Sequence, residues 1–98
     1  MDLRCNATDR LFDAILQLKT SDECYRFFED LCTIKELRDL SQRFQIATLL
    51  HQGQNYQSIV KQVDASTTTI SRVNQCLNYG TGGYRDALDK LKNAEEEA

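Results

Sequence analysis

The chain has 98 residues, with 12 Lys and Arg against 15 Asp and Glu, a net charge of −3, no proline and four glycines. That length supports a single domain with a modest core. No run of 18 apolar residues occurs, which argues against a membrane-spanning helix, and the first 20 residues lack the basic-then-apolar pattern of a secretion signal.

Helical periodicity recurs along the chain and strand alternation does not, so an all-α fold of six helices is expected. The stretch "TDRLFDAILQLK" starts at Thr8 and puts Leu11, Phe12, Ile15 and Leu18 on one stripe. "SDECYRFFEDL" offers Ser21 as cap, with Asp22 and Glu23 in the first turn, where the helix dipole favours them. Tyr25, Phe28 and Leu31 share a face, with Phe27 beside it. "TIKELRDLSQRFQIATLLHQG" is the clearest helix. Thr33 and Glu36 have the spacing of a capping box, Ile34, Leu37, Leu40, Phe44, Ala47 and Leu50 trace one face, and Gly53 suits the position after the helix end. His51, the lone histidine, reads as a surface residue in the last turn, with no carboxylate or nucleophile placed near it.

"NYQSIVKQV" follows with Asn55 as cap, then a turn "DAS", then "TTTISRVNQCLNYG", which Gly80 stops. "TGG" makes a loop, and a last helix "YRDALDKLK" carries Tyr84, Leu88 and Leu91 at one helical spacing. The acidic end "NAEEEA" is expected to fray.

The two short helices with a three-residue turn fit a helix-turn-helix unit over about residues 55–79. Ile59 and Val63 can pack on Ile70 and Val73, with small Ala65 between them. The other face of the second helix is Thr67, Thr68, Thr69, Ser71, Arg72, Asn74 and Gln75, polar but with a single charge. Three adjacent threonines are poor helix formers, and a plain solvent face usually carries Lys and Glu instead. Such a face suits the major groove, where hydroxyls donate and accept and the threonine methyl can meet thymine. Double-stranded DNA is therefore the expected partner. The candidate DNA-binding residues are Gln57, Lys61, Ser66, Thr67, Thr68, Thr69, Ser71 and Arg72, with Gln57, Lys61 and the helix-start amides on phosphate.

Charge distribution agrees. Residues 1–32 hold four basic and seven acidic groups, residues 33–84 five basic and three acidic, and residues 85–98 three basic and five acidic. Only the middle is cationic. The acidic total favours a competing reading, a protein-interaction module without DNA binding. An enzyme finds no support: there is no Ser–His–Asp or Cys–His set, and "YGTGGY" lacks the strand and lysine of a phosphate loop. Cys5, Cys24, Cys32 and Cys76 have no C-x-x-C spacing, so they are read as reduced thiols of a cytoplasmic protein without a metal site.

The run "QRFQIATLLHQGQNYQSIVKQVDASTTTISRVNQCL" resembles the core of the Trp repressor family, and "LNYGTGGYRDAL" resembles its YerC/YecD branch. The likeness extends from about Asp9 to Leu91. It implies an intertwined homodimer, with dimerisation helices at about residues 8–52 and 84–92 and two reading heads that act as a repressor. The surplus apolar surface of the first three helices also calls for such a cover. The family's corepressor lies between two arginines, which the resemblance matches to Arg43 in "SQRFQI" and Arg72 in "TISR". A small-molecule corepressor is thus implied, with Val73 and Cys76 lining its site. Tryptophan itself is disfavoured. Val73 stands where the tryptophan-binding members have glycine, and Cys76 where they have serine.

Overall fold

The computed structural model describes residues 3–97. Six α-helices run in chain order, α1 (Asn6–Ile15), α2 (Ser21–Leu31), α3 (Ile34–His51), α4 (Tyr56–Gln62), α5 (Thr67–Tyr79) and α6 (Gly83–Glu97), with no strand among the described residues. The chain divides into two compact units, one up to Leu37 and one from Arg38 onward.

In the first unit the helix starts differ from those expected. α1 begins at Asn6, ahead of Thr8, because Cys5 takes the extended N-cap conformation and its carbonyl accepts from Asp9 N at 2.8 Å. Cys5 Sγ lies 3.3 Å from Thr8 Oγ1, and this hydrogen bond holds the thiol below its ordinary pKa. Leu18 falls beyond the helix, where its N–H donates to Ile15 O. α2 is capped by Thr20, not Ser21: Thr20 Oγ1 accepts from Glu23 N at 3.1 Å. Of two adjacent hydroxyl residues, only Thr20 stands three before Glu23, the separation a side-chain cap needs. The capping box at the start of α3 forms as expected. Glu36 N donates to Thr33 Oγ1 at 3.1 Å, and Thr33 N donates to Glu36 Oε1 at 2.9 Å. The bond from the Thr33 N–H holds the Glu36 carboxyl below its usual range.

No residue of α1 or α2 is buried. Phe12, Tyr25 and Leu31 are exposed, Leu16 reaches 77% exposure and Ile34 74%. Phe27 and Phe28 meet edge to face with centroids 5.5 Å apart.

The second unit has a core of Ile46, Ala47, Ile59, Val63, Ile70, Val73, Leu77 and Leu88. Just beyond α3, Gly53 has φ +87°, and there Gly53 N donates to Leu50 O and Gln54 N to Leu49 O. This pair of bonds is the Schellman arrangement, which a left-handed glycine permits. Asn55 Oδ1 caps α4 by accepting from Ser58 N at 2.9 Å. α6 continues to Glu97, so the expected fraying is not observed over residues 93–97, and Ala98 lies outside the described residues. No proline or glycine follows Gly83, and Ala and Glu are strong helix formers. Among the described residues no helix is long and apolar enough to cross a membrane.

Candidate nucleic-acid interface

α4 and α5 are joined by a tight turn. Val63 closes α4 by donating to Ile59 O, and Ala65 N donates back to Val63 O, both at 2.8 Å. Ser66 then caps α5, its Oγ accepting from Thr69 N at 3.2 Å and lying 3.1 Å from Thr69 Oγ1. The helical period turns Ile70, Val73 and Leu77 inward. Thr67, Thr68, Ser71 and Arg72 are consequently exposed at the front of α5, and Thr69 is half-buried. An inward-facing hydroxyl tip would have left them covered.

Among the other residues singled out from the sequence, Gln57 and Lys61 are exposed on α4. Arg43 on α3 and Cys76 on α5 are also exposed. Val73, at 3% exposure, belongs to the core and does not share the outer face that carries Arg72.

Two features escaped the sequence reading. Gln42 Nε2 donates to the Asp64 carbonyl at 2.7 Å, tying α3 to the turn before α5. At the far end of α5, Arg85 Nε donates to Leu77 O at 3.0 Å and Nη2 donates to Asn78 Oδ1 at 2.7 Å. Arg85 Nη1 lies 3.4 Å from His51 Nδ1, and His51 Nε2 lies 3.3 Å from Asp89 Oδ1. Asp89 is the carboxylate partner that local sequence did not place near His51. A ring with its proton on Nε2 satisfies both neighbours, donating to Asp89 and accepting from Arg85. No local spacing signals these contacts, which join separate elements of the chain.

Known proteins resemble this chain in sequence and in fold. The family model for Trp repressor protein matches residues 6–92. The chain is 51% identical over 96 residues to the uncharacterized protein YerC of Bacillus subtilis (strain 168), covering 98% of this chain and 92% of YerC. A crystal structure of a Trp repressor candidate from Staphylococcus aureus superposes with a TM-score of 0.88 at 49% identity, covering 92% of this chain and 90% of that one. The crystal structure of a TrpR-like protein from Eubacterium eligens ATCC 27750 gives 0.89 at 50% identity, covering 92% and 93%. With the six helices and the sequence match in agreement, the chain belongs to the Trp repressor family.

Proposed function

We propose that this protein is a sequence-specific DNA-binding transcriptional regulator, a repressor in its simplest form, that acts in the cytoplasm as a homodimer. The observation that carries the reading is the division of α5. Ile70, Val73 and Leu77 are buried while Thr67, Thr68, Ser71 and Arg72 are exposed at its front. The first turns of a recognition helix are the part that reaches base edges. In this reading Thr68, Thr69 and Arg72 meet bases, with Ser71 beside them. Lys61, Gln57 and the amides from Ser66 to Thr68 meet phosphate. Dimerisation is supported by the first unit, which leaves Phe12, Leu16, Tyr25, Leu31 and Ile34 exposed. For the effector, exposed Arg43, Arg72 and Cys76 are the groups assigned to a small ligand other than tryptophan.

Selection from random duplex DNA, followed by gel shifts on the recovered sequence, tests the reading. Binding should fall by about 10- to 100-fold in Arg72→Ala, the loss of one good base contact. About three phosphates per head would give a salt slope of roughly −5 per dimer. A competing role as a protein-interaction module finds its support in Tyr79, 86% exposed at the end of α5, and in the net charge of −3. Failure to enrich any duplex favours that role.

A further inference from the structure

Helix α5 is held at both ends by side chains from outside the helix-turn-helix. Ahead of its cap, Gln42 on α3 donates to the Asp64 carbonyl, two residues before Ser66. At its other end, Arg85 on α6 donates to the Leu77 carbonyl and to Asn78 Oδ1. The last four carbonyls of a helix lack partners within it, and the cation there also meets the favourable end of the helix dipole. Gly80 N–H satisfies the Cys76 carbonyl, and Arg85 satisfies the next one. His51 Nδ1 meets Nη1 of the same guanidinium, and Asp89 meets the other nitrogen of His51.

We propose that Gln42 and Arg85 are positioning residues for DNA recognition, clamping the two ends of α5 and so setting the angle at which its hydroxyl tip meets the groove. The proposal rests on the DNA-binding reading above. Neither residue touches DNA in it. A recognition surface must be held to about 0.5 Å and 10–20°. A seven-residue α4 and a four-residue connection give little stiffness of their own, whereas these ties run to longer helices.

The full-length chain tests this through Gln42→Met and Arg85→Met, which remove the donors at similar bulk. Gln42→Glu, equal in shape but without a donor when ionised, and Arg85→Lys, which keeps the charge and one donor, accompany them. Three quantities are read: affinity for the selected duplex, the slope of affinity against salt, and amide hydrogen exchange in α5 without DNA. Both Met variants should bind about tenfold more weakly, as expected for a lost hydrogen bond. They should keep the wild-type salt slope, because no phosphate contact is lost, and should exchange α5 amides faster. Arg85→Lys should recover part of the affinity. A flatter slope in Arg85→Met would make Arg85 a direct phosphate contact and overturn the proposal. So would wild-type affinity and exchange in the Met and Glu variants. If Arg72→Ala weakens binding while these variants behave as wild type, the clamp alone falls. If the wild type enriches no duplex, the DNA reading falls with it.

Discussion

Single side chains decide where the helices of this protein begin, and most of those decisions are local. Asn55 caps α4 where the sequence places it, and Ser66 caps α5 in the same way, because a cap needs only a short polar side chain and an N–H three residues on. The same rule, applied one residue too late, misplaces the start of α2: Ser21 is a capping residue type, but Glu23 pairs with Thr20. The Thr33–Glu36 box has a consequence in acid. Glu36 has a depressed folded pKa, so its contribution is present above the unfolded carboxylate range and is lost as pH falls through the folded value. Glu36→Gln keeps an acceptor and removes the titration. Wild type should therefore melt higher than Glu36→Gln near neutral pH, and the gap should close as acidification protonates the folded carboxyl. A gap that does not change with pH would show that the charge contributes nothing.

At the scale of elements, the apolar period of 3.6 residues and the glycine stops made all six helices legible. Gly53 is the clearest stop. Its φ of +87° is strained for any L side chain, and a Cβ there would meet nothing within 4 Å. Gly53→Ala should accordingly cost about 1–2 kcal/mol from the backbone alone. A urea unfolding midpoint lowered at constant slope measures it. Gly80 is different: its φ is negative, and a Cβ would run into the Cys76 carbonyl that closes α5. The length of α6 was misread for an instructive reason. "NAEEEA" looks like a solvated charged tail, but Ala and Glu have high helix propensity and continue a helix already nucleated by packed turns.

For the whole molecule, the two units contrast in what they bury. The part from Arg38 onward has its own core, whereas neither α1 nor α2 buries a residue. If a second copy covers that surface, the melting temperature should rise with protein concentration. Phe12→Asp, which puts a charge on this exposed apolar surface, should abolish that dependence and leave a species of 11.3 kDa in sedimentation. A wild-type melting temperature independent of concentration would contradict the homodimer. The sequence alone determined the six helices, the caps of α3, α4 and α5, the inward Ile70–Val73–Leu77 stripe and the outward hydroxyls, because each depends on neighbours within a turn or two. Only the tertiary structure decided how α5 is held. Gln42 and Asp64 are 22 residues apart, and His51 and Asp89 are 38 apart. Such pairs form only where core packing brings distant helices together, and no local spacing encodes that meeting.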